Sequence, residues 1–167
     1  MFGKRILMAK AGAEGSRKRT VKEREKYIMS LVNQMTLDEK IGMIHGAGLF
    51  RTAGVPRLGI PELHMSDGPM GVRQEFVDND WKNVYDSDDT VTYLPSNSAI
   101  AATWNPKRAK ECGEVLGTEA RGRGKDVILA PGINIKRTQL CGRNFEYMSE
   151  DPYLVSEMTV PLIKGIQ

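Results

Sequence analysis

From Val21 onward the apolar positions fall at helical spacing. Val21, Ile28, Leu31, Val32 and Met35 recur at intervals of three, four and seven residues, the spacing of one face of a 3.6-residue helix. Thr36 predicts the start of a second, short helix, because a threonine cap followed three residues later by Glu39 forms a capping box. Met43 and Ile44 are expected to pack inward from it. Gly46 to Gly59, interrupted by Arg51, Thr52 and Pro56, reads as a loop. Leu63 to Ser66 predicts a strand broken by Asp67-Gly68-Pro69, which places Asp67 at the strand's C-terminal tip. Asp78 to Asp89 is polar and aspartate-rich, a surface excursion. Ala99 to Thr103 is taken as a second strand despite the weak β preference of its alanines.

Asn105-Pro106 pairs a capping side chain with a proline at the first helical position, so a helix is predicted to run through Val115, Leu116 and Ala120 to the glycines at 122 and 124. Val127 to Ala130, wholly apolar, predicts a third strand buried on both faces. Asp151-Pro152 repeats the cap-and-proline start ahead of Leu154, Met158 and Leu162, with a kink expected at Pro161. Strands alternating with helices, joined by connections long enough for crossovers, favour an α/β fold with a parallel sheet.

Length and charge narrow the picture. A chain of 167 residues suits one ordinary domain. Residues 1–19 lack any period and read as a flexible basic leader, leaving 20–167 as the domain. With 40% apolar and 27% charged residues, the composition is globular. The net charge of +3 is concentrated at one end: residues 1–26 hold nine Lys or Arg against three Glu, and the remainder is net acidic. A nucleic-acid partner is therefore not expected. No run approaches the roughly 20 apolar residues of a membrane span, so no membrane partner is expected either. Cys112 and Cys141 lack any spacing that suggests pairing, and Ile6 to Ala9 is too short for a secretory core. With Met1 as the true start, these features give an expected cytoplasmic location.

Some formal motifs lead nowhere. Gly117 to Asp126, GTEARGRGKD, lacks the Gly-Lys-Ser/Thr ending of a phosphate loop and reads as a helix-to-strand connection. His45 and His64 have no partner at metal-ligand spacing, and Ser66 lacks a nucleophile elbow. Two segments carry chemistry. In Ser66-Asp67-Gly68-Pro69-Met70-Gly71-Val72-Arg73, a strand-tip carboxylate is followed six residues later by an arginine. That pair suits recognition of sugar hydroxyls, the carboxylate accepting and the guanidinium donating, and equally suits an exposed ion pair in a structural turn. Pro131 to Arg137, with Cys141 to Glu146 and Ser149 to Tyr153, crowds polar side chains beyond the third strand, where parallel α/β folds hold ligands. A solvated loop with Arg143 paired to Glu146 fits the same residues.

Taken together, TLDEKIGMIHG, LHMSDGPMGVR, LPSNSAIAATWNP, LGTEARGRGKDVILAPGINIKR and CGRNFEYMSEDPYL resemble the opening half of the family-three glycoside hydrolases of β-glucosidase type, over about residues 34 to 167. The resemblance implies the N-terminal portion of a (β/α)8 barrel with parallel strands and crossover helices. It implies that Asp67 and Arg73 bind sugar hydroxyls in subsite −1 and that Arg143 is a further sugar contact. It implies retaining hydrolysis of a β-glucoside or related oligosaccharide, with no cofactor and no metal. The family's Lys-His pair, nucleophilic aspartate and acid/base are expected beyond Gln167, so no catalytic residue is assigned here and the C-terminal part of the enzyme is the expected partner. The alternative is a non-catalytic carbohydrate-binding or assembly fragment.

Overall fold

The computed structural model describes residues 20–77, 80–82 and 90–167. The basic leader and most of the Asp78 to Asp89 excursion lie outside the described residues. Two compact units are present, one comprising the described residues up to Gly46 with Thr52–Glu62, the other Ala47–Arg51 with Leu63–Gln167.

In the first unit, helix α1 spans Val21–Gln34 and helix α2 spans Leu37–Met43. Both start with reciprocal capping boxes. The Glu39 amide donates to the Thr36 hydroxyl at 3.2 Å while the Glu39 carboxylate accepts from the Thr36 amide at 2.9 Å. Thr20 and Glu23 repeat the arrangement at the head of α1. Each box satisfies donors that the first helical turn leaves open.

The helical periods are as expected, but their burial is not. No residue of α1 is buried, Val21 and Ile28 stand in solvent, and Ile44 is exposed rather than packed inward. Periodicity selects a helix's apolar face, whereas burial needs a second element against that face. A short 3-10 turn at Pro56–Leu58 brings Arg57 back over α2. Its guanidinium donates to the Glu39 carboxylate at 2.6 Å and to the Gln34 carbonyl at 2.8 Å. The loop expected over Gly46 to Gly59 thus contains this turn and two short strands, β1 at Gly46–Gly48 and β2 at Arg51–Thr52.

The second unit is built on strand β3, Met65–Asp67, and strand β4, Val127–Leu129. They pair in parallel with Met65 opposite Val127, Ser66 opposite Ile128 and Asp67 opposite Leu129. Between them lie helix α3, Asn97–Ala102, and helix α4, Pro106–Gly122; helix α5, Pro152–Ile166, follows and packs on α4. A parallel pair joined through helices is the crossover unit that the alternation predicted.

Ala99 to Thr103 is not a strand. Ser96 caps it by accepting from the Ala99 amide at 3.2 Å, and Ile100 and Ala101 are buried as one face of a helical turn. Alanine's high helix propensity wins once a cap is present. Helix α4 runs to Gly122, so the first half of GTEARGRGKD is helical. Helix α5 continues through Pro161.

The main core joins Ile100, Ala101 and Ala109 to Met148, Leu154, Val155, Met158 and Leu162. Helices α4 and α5 meet through glycine: a methyl group on Gly113 would land on the Leu162 carbonyl, and one on Gly165 on the Lys110 carbonyl. A second cluster of Val72, Leu94, Leu116 and Ala120 lies under Ile128. Val127 and Leu129, expected to be buried, are 39% and 46% exposed. A strand is covered on both faces only when further layers flank it, and the described elements cover only the Ile128 side. Among the described residues no helix is long and apolar enough to cross a membrane.

Candidate sugar-binding site

The site grows from the C-terminal end of β3. After Asp67 the chain reverses through Gly68 and Gly71, whose φ angles of 128° and 141° are open to glycine and strained for other residues. A methyl group on Gly68 would collide with the Gly71 carbonyl, and one on Gly71 with the carbonyl of Thr92. The reversal delivers Arg73 back to the strand end. Its amide donates to the Asp67 carbonyl at 3.2 Å and to the Ser66 hydroxyl at 3.1 Å. Asp67 Oδ1 accepts from the Gly68 amide at 3.0 Å, which fixes the carboxylate. Arg73 Nη1 then stands 3.5 Å from Asp67 Oδ2.

Three aromatic rings surround the Arg73 guanidinium. Its Cζ lies 5.0 Å from the Phe50 ring centroid, 4.4 Å from Phe76 and 4.6 Å from Trp81. Phe50 is held near the strand by the Met65 amide, which donates to the Phe50 carbonyl at 2.8 Å.

Arg143 arrives from the long connection after β4, one residue before the 3-10 turn Asn144–Glu146. Its Nε donates to the largely buried Glu146 carboxylate, and its guanidinium lies 6.0 Å from the Tyr147 ring centroid. The hydrogen bond to Glu146 is the main cause holding the Arg143 guanidinium above its ordinary value, with the charges of Glu146, Tyr147 and, last, Asp67 adding to it. In the β3–β4 register Asp67 is paired with Leu129, at the end of β4 from which the Arg143 connection leaves.

Helix α3 braces this second loop. Asn97, fully buried, donates to the Glu146 carbonyl at 2.8 Å, and the Ser98 hydroxyl donates to the Tyr147 carbonyl at 2.8 Å. Lys136 reaches the same Ser98 oxygen at 2.7 Å.

Of the three residues singled out from sequence, Asp67 and Arg73 are brought together at the C-terminal end of β3, and Arg143 stands on the connection after β4, held by Glu146. Asp67 keeps half its side-chain surface open and Arg143 about 71%. A carboxylate acceptor beside a guanidinium donor at an open strand end suits a polyol whose neighbouring hydroxyls both donate and accept. The hydroxyl of Ser66 as acceptor for the Arg73 amide, the bracing by Asn97 and Ser98, and the three rings on Arg73 are not among the expectations from sequence. Ser66 lies in LHMSDGPMGVR, and Asn97 and Ser98 lie in LPSNSAIAATWNP, blocks that the sequence itself displays; Phe50 carries no local signal. Among the described residues, no cluster of His, Cys, Asp and Glu is arranged to hold a metal ion.

Residues 62–167 match the glycosyl hydrolase family 3 N terminal domain. The chain belongs to this family. Its similarity to the β-glucosidase BoGH3A of Bacteroides ovatus is 52% identity over 143 residues, covering 86% of this chain and 19% of that enzyme. An exo-α-(1→6)-L-arabinopyranosidase of Bifidobacterium longum is 35% identical over 136 residues, covering 81% of this chain and 18% of that enzyme. Among solved structures, β-glucosidase 3B from Thermotoga neapolitana in complex with α-D-glucose superposes with a TM-score of 0.73 at 38% identity, over 84% of this chain and 21% of that one. The chain therefore spans about a fifth of the length of these relatives. Its strands and crossover helices are the N-terminal part of the family 3 barrel, as the α/β alternation and the motif blocks implied.

Proposed function

We propose that this family 3 chain forms part of the subsite −1 wall of a retaining β-glycosidase, with Asp67, Arg73 and Arg143 gripping the hydroxyls of the terminal sugar. The observation that carries the proposal is the Asp67–Arg73 pair at the C-terminal end of β3, where Arg73 Nη1 lies 3.5 Å from Asp67 Oδ2 and half of the Asp67 side chain stays open. The glucose complex of the Thermotoga relative supports a glucose-sized ligand. The arabinopyranosidase relative shows that family likeness alone does not set the sugar or the linkage.

In a retaining mechanism, one carboxylate attacks the anomeric carbon while an acid protonates the leaving oxygen, and water then resolves the glycosyl-enzyme. Neither role is assigned to Asp67, Arg73 or Arg143. The contribution of this chain is differential binding. As the sugar ring flattens toward the transition state its hydroxyls shift, and contacts that shorten during this change lower the barrier. Asp67 accepts from two neighbouring hydroxyls, while the guanidiniums donate to the oxygens of the same or adjacent groups.

The test replaces the matched 143-residue segment of the Bacteroides enzyme with the corresponding residues of this chain, a 52%-identical exchange. The chimaera is expected to hydrolyse an aryl β-glucoside. Asp67→Ala in it should lower kcat/KM by about 10²–10⁴-fold, from the loss of two charge-assisted hydrogen bonds at roughly 1.5–3 kcal/mol each. A folded chimaera whose kcat/KM is unchanged by Asp67→Ala would refute the assignment. One that binds glucose yet never turns over would favour a carbohydrate-binding role.

A further inference from the structure

Three aromatic side chains around one guanidinium invite a role beyond packing. Phe50, Phe76 and Trp81 belong to neither apolar cluster of their unit, and Trp81 is 60% exposed. Apolar packing alone would draw such rings into a core. They gather on Arg73 instead, with its Cζ between 4.4 and 5.0 Å from each ring centroid. The rings are steeply tilted to one another: Phe76 lies at 66° to Trp81, and Phe50 at 89° to it. Trp81 meets both phenyl rings edge to face, at centroid distances of 6.2 Å to Phe50 and 5.6 Å to Phe76, so the three rings form one connected group against the guanidinium.

A guanidinium carries its five N–H donors at its edge and presents weakly hydrated faces, so aromatic rings hold it without consuming a donor. Among the described residues the charged partner of Arg73 is Asp67, whose Oδ2 stands 3.5 Å from Nη1, outside ordinary N–H···O bonding distance. The donor edge is thus aimed at the carboxylate without being saturated by it.

We propose that Phe50, Phe76 and Trp81 are positioning residues for Arg73, an aromatic enclosure that fixes the guanidinium edge beside Asp67 for a sugar hydroxyl. This rests on the sugar-binding role of Arg73 proposed above. The rings lower the number of rotamers open to a long, flexible side chain and keep water from competing for its donors. Substrate then meets an arginine already in place, and the ordering cost is not charged to binding.

In the chimaera, Trp81→Leu and Phe76→Leu are each expected to raise the glucose inhibition constant and lower kcat/KM by about 3–30-fold, the range of a cation–π contact. Trp81→Phe and Phe76→Tyr, which keep an aromatic face, should stay within about threefold on the same scale. In an Arg73→Gln background the leucine variants should add nothing, because their effect passes through the missing guanidinium. Losses that multiply in that background, or leucine and aromatic variants that behave alike, would overturn the enclosure and leave only packing. If Arg73→Gln itself leaves glucose inhibition and kcat/KM unchanged, the sugar-binding role of Arg73 fails first, and the two failures are separable.

A direct reading uses the 167-residue chain. The Arg73 Nε–H resonance should be displaced by ring currents and slow to exchange with water, and Trp81→Leu should abolish both. An Arg73 signal already at the free-arginine position and exchange rate would count against the enclosure independently of activity.

Discussion

The Asn97 side-chain amide donates to the Glu146 carbonyl at 2.8 Å, so helix α3 holds the turn that presents Arg143. Asn97 has no exposed surface, and its Nδ2 also points to the Gly132 carbonyl at 3.5 Å. Replacing it with alanine leaves a buried carbonyl without its donor and opens a small cavity. Asn97→Ala is therefore expected to cost about 1–3 kcal/mol of stability. Urea unfolding of the chimaera measures the loss. Because Arg143 sits on the released turn, glucose affinity should fall in parallel.

The glycine contacts between α4 and α5 make opposite predictions for two nearby positions. Gly113→Ala gains roughly 1 kcal/mol of helix propensity but drives a methyl into the Leu162 carbonyl. Overpacking of this kind typically costs about 1–3 kcal/mol, so net destabilisation is expected. Gly122 has open space where its Cβ would stand. Gly122→Ala should be neutral or stabilising by up to about 1 kcal/mol. Equal effects at the two sites would show that helix packing does not decide them.

How far the fold was legible follows from how local each signal is. The starts of α4 and α5 were plain because their caps are sequence neighbours of the amides they serve. Asn105 accepts from Lys107 and Arg108 at 3.0 and 3.3 Å, and Asp151 from Tyr153 at 2.9 Å. Asp67 was placed at a strand tip because Gly68-Pro69 must end the strand. Helix α3 was misread because Pro95-Ser96-Asn97-Ser98 signals a turn as well as a cap, and the core contacts of Ile100 and Ala101 decided between them. The exposure of Val127 and Leu129 was out of reach, since strand burial depends on layers contributed from elsewhere. The enclosure of Arg73 was equally hidden: Phe50 lies 23 positions before it, and only the reversal at Gly68 and Gly71 brings them together.

Stability of the first unit should depend on acidic pH through Glu39. The Arg57 hydrogen bond, aided by the Thr36 amide, lowers its carboxyl from 4.5 to about 2. A carboxylate depressed in the folded state contributes its full stabilisation above the unfolded value and loses it as pH falls through the folded one. The loss is therefore expected between about pH 4.5 and 2. Glu39 is solvent-accessible, so the contribution is reduced by screening and should shrink further in high salt. Helicity followed by circular dichroism across this range should fall in the parent chain. The fall should be smaller in Glu39→Gln, which cannot titrate; identical profiles would show that the Arg57 pair is without thermodynamic effect.

The 167-residue chain by itself should self-associate. Strand β4 leaves Val127 and Leu129 39% and 46% exposed, and Ile133, Leu140 and Phe145 in the connection after it are exposed as well, Leu140 to 94%. The β3–β4 pair is two strands wide among the described residues; the Met65 amide of β3 is taken by the Phe50 carbonyl, whereas the outer edge of β4 has no strand beside it among the described residues. Apolar faces beside open edges favour pairing between copies. Light scattering should report oligomers that grow with concentration, and a hydrophobic dye should bind them. Leu129→Lys sets a charge on this face, next to Asp67 in register, and should suppress association because lysine near an open edge disfavours strand addition. A dye-silent monomer at high concentration would show that other parts of the chain cover the face, and the lysine variant would then change nothing.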